Sequence, residues 1–406
     1  MVPSFISTLF QQRYDLGDHL PFQLIRRVDI FHHVFGNIIL LIFRLFPINQ
    51  NKIVIANLKG SGYGCNPKYI AEILVREMPN YDLVWLLLDK NQIESQMPDS
   101  IKTVNYYSLQ ALYELATAKI WIRNLMCALD LGKRQKQLYI QTFHGSGPKK
   151  CGVLTPRESS PLYILFLRLV MNNVNIVLSN SAFQTKKFCE EFLYEGRVLE
   201  VGFPRNDILV RENEIKKCSI KDSLQIGEDT KIILYAPTFR GALNLGRYDL
   251  DYDKCLFAVR KKFGDKWVFL VRLHPSLLSM SQNIFSNIPG VIDVSQYPDM
   301  QELLDITDIL ITDYSSSMFD YAITRRPCFL YVNDIAEYIS DRGLYMDLAT
   351  LPFPIAETNA LLVEKIESFD LDKYHQEIEQ FMMIFGMVDS GNASECVVSM
   401  IKQFMT

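Results

Sequence analysis

The sequence predicts an α/β protein with two Rossmann-like, doubly wound domains that face a cleft, preceded by an N-terminal helical segment. Three observations support this fold class. The chain has 406 residues, which is more than one ordinary hydrophobic core accommodates. From Asn51 onward, short apolar strand patterns alternate with helix patterns, as in a mainly parallel sheet. A polar stretch over 206–230 divides this alternation into two similar halves.

The first half of the alternation predicts a domain over 51–205. Strands are predicted where β-branched and aromatic residues form short apolar runs bounded by turn residues. These runs lie at 52–58, 81–89, 119–124, 137–143 and 174–181. Helices are predicted at 66–78, 108–118 and 181–193. Asn66 is a candidate cap of the first helix, because Pro67 suits a first helical position.

The second half predicts a domain over 231–385. Its strand patterns lie at 231–238, 267–275, 291–295, 309–312 and 327–332. Its helix patterns lie at 251–264, 300–307 and 317–326. The stretch over 206–230 contains no strand pattern, and we interpret it as the linker between the domains.

The N-terminal segment, residues 1–50, is predicted to be helical. Its apolar part, 26–47, has arginines at both ends, and its longest uninterrupted apolar run is Ile38 to Phe43. That run is too short to span a bilayer, which needs about 20 residues. We interpret the segment first as a helix packed on the first domain, second as a helix lying on the inner leaflet of the membrane, and last as a membrane-spanning helix.

Composition excludes several classes of protein. A net charge of −4 and a pI near 5.9 argue against a general nucleic-acid binder. The eight cysteines form no CxxC pair, so a cysteine zinc site is not expected, and we predict neither a metal nor a cofactor. Scattered cysteines and the lack of a secretory signal pattern predict a cytoplasmic protein.

Two histidines follow predicted strands, one in each half. His144 follows the strand at 137–143 in "YIQTFHGSG", and His274 ends "FLVRLHP". Doubly wound sheets bind ligands beyond the carboxyl ends of their strands. A single histidine there is usually structural, but the pair favours function. An obvious set of carboxylate or thiolate partners for a metal is missing from both stretches.

The stretch "DILITDYSSSMFDY" predicts a phosphate-binding site. The strand stops at Asp313, and Ser315 and Ser316 open a helix, where free backbone N–H groups and hydroxyls favour an anion. The alternative is that one serine simply caps the helix.

Several cationic and polar side chains could surround the same anion. Arginine holds phosphate through two parallel hydrogen bonds, although each arginine alone is more often a surface ion pair. Glu302 could accept ribose hydroxyls or simply favour the helix dipole. The candidates for contact with an anionic substrate are Thr238, Arg240, Arg205, Arg272 and Glu302; Gly145, Lys149 and Lys150 are further candidates, where the lysines could equally be a solvated turn.

These stretches together resemble the CDP-glycerol glycerophosphotransferase family. The resemblance lies in "QTFHGSGPKK" (141–150), "SNSAFQTKKF" (179–188), "GFPRND" (202–207), "ILYAPTFRG" (233–241), "LVRLHP" (270–275), 293–348 and "FGMVDSGNAS" (385–394). It implies a GT-B-like fold in which the second domain holds the donor and the last helix, within 386–406, returns to the first domain.

The resemblance also implies an activity. Family members transfer glycerol phosphate from CDP-glycerol to a hydroxyl of a lipid-linked or polymeric acceptor and release CMP, in teichoic-acid-like or capsular polymer synthesis. His144 matches the family's general base, and His274 matches the histidine at the donor diphosphate. Ser315 and Ser316 match the diphosphate seat. Under the resemblance, the residues expected to bind the donor are these two serines with Asp313, Arg272, Thr238, Arg240, Glu302 and Arg205, and those expected to bind the acceptor are Gly145, Lys149 and Lys150. The arginine-flanked apolar segment over 26–47 separately predicts peripheral association with the inner face of the cell membrane.

Two departures lie in the first half, which should hold the acceptor. The family usually has "WHGTPLKK" where this chain has "FHGSGPKK", and the turn "KGSGYGCNPKYI" (59–70) also differs. Acceptor identity therefore stays open. CDP-ribitol is an alternative donor, a GT-B glycosyltransferase using a sugar nucleotide is a second alternative, and a non-catalytic nucleotide-binding protein is disfavoured by the two histidines.

Overall fold

The computed structural model describes residues 35–88, 97–145, 147–155, 160–238, 248–264, 266–273, 285 and 288–405. The described chain divides into two compact units. The first comprises residues up to 144, 158–207 and 388–406, and the second comprises 145–157 and 208–387. The chain therefore passes from one unit to the other four times.

The first unit contains a seven-stranded parallel sheet in the order β3-β2-β1-β4-β5-β6-β7. Its strands are β1 (Asn49–Ala56), β2 (Asp82–Leu87), β3 (Lys102–Asn105), β4 (Ala118–Arg123), β5 (Leu138–Gln141), β6 (Ile176–Ser179) and β7 (Arg197–Glu200). The central strands are buried on both faces, which explains their continuous apolar runs. The edge strands β3 and β7 have half-exposed patterns, and the sequence did not predict them.

The second unit contains a six-stranded parallel sheet in the order β10-β9-β8-β11-β12-β13. Its strands are β8 (Lys231–Tyr235), β9 (Trp267–Val271), β10 (Val291–Asp293), β11 (Ile309–Thr312), β12 (Cys328–Tyr331) and β13 (Ile355–Ala356). Both sheets follow the Rossmann strand order. The predicted α/β class with two Rossmann-like sheets is confirmed.

Helices connect the parallel strands, as crossovers require. In the first unit they are α1 (over 35–43), α2 (Cys65–Glu77), α3 (Leu109–Thr117), α4 (Pro161–Met171) and α5 (Ala182–Phe192). Next are α6 (Asp207–Val210), where the chain passes between the units, and α7 (Glu214–Ser223), α8 (Tyr252–Phe263), α9 (Met300–Ile306), α10 (Ser317–Ala322), α11 (Ile335–Arg342), α12 (Asn359–Glu367) and α13 (Leu371–Phe385) of the second unit. The last is α14 (Ala393–Met405).

The last helix, α14, belongs to the first unit. Its apolar residues Val397, Val398 and Ile401 are buried in the core around β1 and β4. The carboxylate of Asp207 accepts hydrogen bonds from the backbone N–H groups of Ala393 and Ser394, at 2.9 and 2.8 Å. A side chain distant in sequence therefore caps this helix.

The stretch over 206–230, which was predicted only to be a linker without a strand, contains the helices α6 and α7. One local prediction differs from the structure. Asn66 does not cap α2; the cap position is Gly64, without a side-chain bond, and the amide of Asn66 instead bonds another turn. Within the described residues, no helix is long and apolar enough to cross a membrane.

Candidate active site

The carboxyl end of β5 carries His144 in the first unit. The His144 side chain is exposed, and its Nδ1 lies 3.1 Å from the backbone oxygen of Asn124, the residue that follows β4. A carbonyl oxygen can only accept a hydrogen bond, so Nδ1 carries the proton. In the neutral imidazole the lone pair is then on Nε2, which is the tautomer in which Nε2 can act as a general base.

A buried clamp holds the turn that bears His144. The Nδ2 of Asn66 donates to the backbone oxygens of Thr142 and Phe143, both at 3.0 Å. The Oδ1 of Asn66 accepts from the backbone N–H of Arg205 at 3.1 Å, and Nη1 of Arg205 donates to the backbone oxygen of His144 at 2.6 Å. Both clamp residues are buried. The clamp fixes the backbone from which the imidazole projects.

Phe143 adds an apolar anchor to the same turn. Its backbone has a φ of +48°, a region that residues with a Cβ rarely adopt. Its ring stacks on Phe188 and Phe192 of α5, with centroids 4.3 and 4.7 Å away. The side chain of Gln141 accepts from the Phe143 N–H at 3.1 Å. Packing and hydrogen bonds thus offset the unfavourable conformation.

In the second unit, Asp313 follows β11, and its carboxylate oxygens accept hydrogen bonds from neighbouring residues. Its carboxylate accepts from the backbone N–H of Thr238, at 3.0 and 2.8 Å, from the Thr238 hydroxyl, and from the Tyr314 N–H at 2.6 Å. Thr238 follows β8, and β8 and β11 lie where the strand order of this sheet reverses. The geometry makes Asp313 a residue that joins these two strand ends.

The serines after Asp313 form a small cluster of hydroxyl groups. Ser315 Oγ lies 2.9 Å from Ser317 Oγ and accepts from the Ser317 N–H at 3.3 Å. Ser316 occupies the cap position of α10, but its side chain makes no capping bond. The helix has only six residues, which is shorter than the predicted helix over 317–326.

Arg272 follows β9 in the same unit. Burial lowers the pKa of its guanidinium to about 10, against the opposing effect of Asp299. The group is therefore still cationic at neutral pH. Its Nη1 is buried and has no hydrogen-bond partner among the described residues. A buried donor without a partner is costly, which favours an anionic ligand at this position.

Glu302, in the first turn of α9, is already engaged within the second unit. Its carboxylate accepts from the Tyr297 hydroxyl at 2.8 Å and forms an ion pair with Lys216 of α7 at 3.2 Å. The described contacts of Glu302 thus join α9 to α7.

The helix that bears Glu302 also bears Asp305, for which we predict a pH-dependent cost. Burial raises the pKa of Asp305 to about 6, against the opposing charges of Lys217 and Arg326. As pH rises from about 4 to about 6, the unfolded chain loses this proton first, so stability falls by about 2–3 kcal/mol. Asp305→Asn should raise the unfolding midpoint at pH 7.5 but not at pH 4, measured by urea denaturation; equal shifts at both pH values would contradict this explanation.

The residues just after His144 fold with the second unit. The backbone oxygen of Pro148 accepts from the Tyr345 N–H at 2.6 Å, Lys149 forms an antiparallel bridge with Leu344, and the Lys150 N–H donates to the Gly343 oxygen at 3.3 Å. Gly145 has a φ of +124°. The predicted first domain, 51–205, therefore differs from the observed unit, since backbone bonds tie 148–150 to 343–345.

A further close approach involves the same segment. A Cβ added to Gly147 would lie 3.4 Å from the Cβ of Ser316. The predicted acceptor residues Lys149 and Lys150 thus share a unit with the serine cluster, whereas the predicted donor residue Arg205 shares a unit with His144.

His274 and Arg240 lie outside the described residues. The described residues include no group of three or more side chains suited to a metal ion.

Sequence reasoning missed Asn66 and Asn124 as residues that hold the His144 turn. Asn66 was seen only as a cap, and Asn124 only as the end of a strand. The strand-end position of Asn124 next to β5 was the available signal. Two units with Rossmann-ordered parallel sheets, one with a strand-end histidine and the other with an arginine and a serine cluster, place this chain in the class of α/β proteins with a GT-B-like architecture.

Comparison with known proteins narrows this class. The chain belongs to the CDP-Glycerol:Poly(glycerophosphate) glycerophosphotransferase family, which it matches over residues 38–403. A teichoic acid poly(glycerol phosphate) polymerase from Staphylococcus epidermidis is 34% identical over 368 residues, covering 87% of this chain but 51% of that protein. The chain thus spans about half the length of that relative.

In two further comparisons, the match covers nearly the whole length of the other protein. A teichoic acid poly(glycerol phosphate) polymerase from Bacillus spizizenii is 31% identical over 374 residues, covering 89% of this chain and 94% of that protein. The structure of a variant of the wall teichoic acid polymerase TagF soaked with CDPG has a TM-score of 0.80 and 30% identity, and covers 95% of this chain and 99% of that one.

Proposed function

We propose that this protein transfers glycerol phosphate from CDP-glycerol to a hydroxyl group of a lipid-linked or polymeric acceptor and releases CMP. The observation that carries the proposal is the orientation of His144. Its Nδ1 lies 3.1 Å from the Asn124 oxygen, which assigns the lone pair of the neutral ring to Nε2, and the side chain is exposed beyond the carboxyl end of β5. Family membership supplies the donor class.

The proposed reaction is one displacement at phosphorus. The acceptor oxygen attacks the phosphorus that bears glycerol, and its proton passes to Nε2 of His144. The bond from that phosphorus to the bridging oxygen breaks, and the bridging oxygen leaves with CMP. Donors aimed at the phosphate oxygens stabilise the charge that spreads over them.

We assign donor binding to the second unit. Arg272, Ser315 and Ser316 would hold the diphosphate, supported by the buried Nη1 of Arg272 and the hydroxyl cluster. Asp313 would act by positioning Thr238, since its oxygens already accept four hydrogen bonds. We assign Lys149 and Lys150 to donor binding as well, because they belong to the same unit as the serines.

Two predicted donor contacts change in role under this proposal. Arg205 would position His144 rather than bind the donor, because its guanidinium bonds the His144 backbone oxygen. Glu302 would support α9 through Lys216 and Tyr297. His274 and Arg240 keep their predicted roles at the donor, and Gly145 its predicted role at the acceptor.

A donor screen tests the proposed activity. The purified chain is incubated with a lipid-linked acceptor and with CDP-glycerol, CDP-ribitol or a UDP-sugar, and the released nucleotide is quantified. We expect CMP release that requires both the acceptor and CDP-glycerol. Faster CMP release with CDP-ribitol would assign the other polyol, and UDP release would contradict the proposal.

The first unit also bears an exposed apolar face, which we propose rests on an anionic membrane. The face is formed by α1 with the residues just after it and by α4. Its members are Phe35, Ile38, Leu41, Ile42, Leu45, Phe46, Leu162, Leu165 and Leu169, each 46–86% exposed. Large apolar side chains left exposed on two helices that pack on one segment favour an interaction site.

Both helices that bear this apolar face, α1 and α4, pack against one short segment of the first unit, Ala128–Gly132. Asn37 Nδ2 donates to the Ala128 oxygen at 2.9 Å, and a side chain at Gly132 would clash with Leu40. The helix α4 packs on the same segment. Residues 35–48 and 160–173 contain one arginine each and no acidic residue, which suits anionic headgroups.

Removing two leucines from the apolar face should weaken membrane binding. Leu165→Gln with Leu169→Gln should reduce binding to phosphatidylglycerol vesicles at least about tenfold, because two apolar side chains lose their burial in lipid. Vesicle sedimentation of the full chain measures this. The matched control changes two exposed apolar residues of the second unit, Ile215→Gln with Phe257→Gln. Equal binding by both double variants would contradict the proposal.

A further inference from the structure

The turn over 57–64, between β1 and α2, has no role in the reaction derived above, and we call it the glycine turn. We infer that the glycine turn contacts the acceptor chain, with Lys59 binding a phosphate group of a polyol-phosphate acceptor. This inference rests on the proposed function and extends it to the residues that contact the acceptor.

The first argument is position. The strands β1 and β4 lie where the strand order of the first sheet reverses, and ligands of doubly wound folds bind at that point. The glycine turn begins directly after β1. Asn57 of this turn accepts a hydrogen bond from the side chain of Asn124 at 2.7 Å.

The second argument is a direct link to the proposed base. The fully buried Asn124 accepts from the Leu58 N–H through Oδ1 at 2.7 Å. Its backbone oxygen bonds the imidazole of His144 at 3.1 Å. Asn124 thus contacts both the glycine turn and the His144 ring, so the turn and the proposed base lie next to the same residue.

The third argument is that hydrogen bonds and close packing anchor the turn at Gly60. Gly60 has a φ of +90°, and a Cβ there would lie 3.0 Å from the Leu88 nitrogen and 3.1 Å from the Cβ of Tyr106. The Gly60 oxygen accepts from the Leu88 N–H at 2.9 Å, and the Gly60 N–H donates to the Asn57 oxygen at 2.6 Å. Leu58 and Lys59 lie between Asn57 and Gly60, so the hydrogen bond between those two residues restrains their backbone.

The fourth argument concerns those two residues, Leu58 and Lys59. Their φ values are +40° and +59°, a region that is unfavourable for any side chain with a Cβ. Leu58 is 38% exposed, so core burial does not account for a leucine at this position. Backbone strain of this kind concentrates at functional sites. We therefore assign the partly exposed side chains to ligand contact.

The charge of the segment selects the ligand. Between Asn51 and Ala71 there are three lysines and no acidic residue. Lys52 is buried in an ion pair with Glu114, and Lys68 lies over the ring of Tyr69 at 5.2 Å. Lys59 adds positive charge within the turn itself. An ammonium group binds phosphate as a point charge, so a phosphodiester in the acceptor fits this position.

The test compares two acceptors and two lysine variants. Lys59→Asn removes the charge but keeps a residue that tolerates positive φ. The matched control is Lys266→Asn, since Lys266 of the second unit has a φ of +63°. Initial rates are measured with CDP-glycerol and two lipid-linked acceptors, one bearing glycerol-phosphate units beyond the lipid linkage and one ending in a neutral disaccharide.

We expect Lys59→Asn to raise KM about tenfold for the acceptor with glycerol-phosphate units, while KM for CDP-glycerol and for the neutral acceptor stays unchanged. Lys266→Asn should change none of these values. An unchanged KM for both acceptors, or an equal rise for both, would overturn the inference. Inactivity of the unsubstituted protein with every acceptor would instead contradict the proposed function.

A second variant separates binding from folding. Leu58→Gly removes the side chain but suits the left-handed backbone, so the melting temperature should not fall. KM for the acceptor with glycerol-phosphate units should rise nonetheless. A lower melting temperature with unchanged KM would show that Leu58 serves the fold, and would overturn its part in the inference.

Discussion

Replacing His144 by alanine should abolish transfer while CDP-glycerol still binds. The substitution removes the proposed general base, a contribution typically worth 10²–10⁴-fold in rate. It leaves every described group of the second unit in place, because His144 belongs to the first unit. Turnover is measured as CMP release with a lipid-linked acceptor, and donor binding is measured by calorimetry.

The control for this substitution is His375→Ala. His375 is an exposed histidine on α13 of the second unit, so its loss should leave turnover unchanged. Added imidazole should partly restore His144→Ala, because the side chain is exposed and its space is reachable from solvent. Near-normal turnover by His144→Ala would mean that another group takes the proton.

Asn66→Asp should cause the second largest loss. The amide donates two hydrogen bonds to the oxygens of Thr142 and Phe143 and is buried. A carboxylate cannot donate and would face those two oxygens at the same distance. Losing two donated bonds and burying an unpaired charge should lower stability by about 2–4 kcal/mol. The His144 turn should then be misplaced, and kcat should fall at least tenfold.

The matched control is Asn175→Asp in the same unit. Asn175 is exposed, and its Oδ1 accepts from the Tyr139 N–H at 2.8 Å, a bond that a carboxylate preserves. Urea unfolding and kcat are measured at a temperature where each variant is folded. If Asn66→Asp loses stability but retains full kcat when folded, Asn66 supports the fold without positioning His144.

The sequence was sufficient for the fold class and for most central strands. Buried parallel strands appear as continuous apolar runs, and β1, β4 and β8 were found within a few residues of their bounds for that reason. The edge strands β3 and β13 were missed, since they are short and partly exposed. Helical structure over 214–223 was missed because its composition is mainly polar.

Local sequence patterns could not predict the clamp that Asn66 and Arg205 form around the His144 turn. Asn66 and Arg205 lie 139 positions apart in the sequence, and only the folded chain brings the Asn66 amide to the Arg205 backbone. The unit membership of Lys149 and Lys150 was hidden in the same way, because their backbone bonds go to residues near 344. Strand-end histidines could be read from the sequence, but the residues that orient them could not.

The most direct test of the proposed function is the stoichiometry of one reaction. The protein is incubated with CDP-glycerol and a lipid-linked acceptor, and CMP and the mass of the acceptor are followed together. We predict that each CMP released corresponds to one glycerol phosphate added to the acceptor. Release of CMP with no change in acceptor mass, or acceptor extension without CMP, would contradict the proposed transfer.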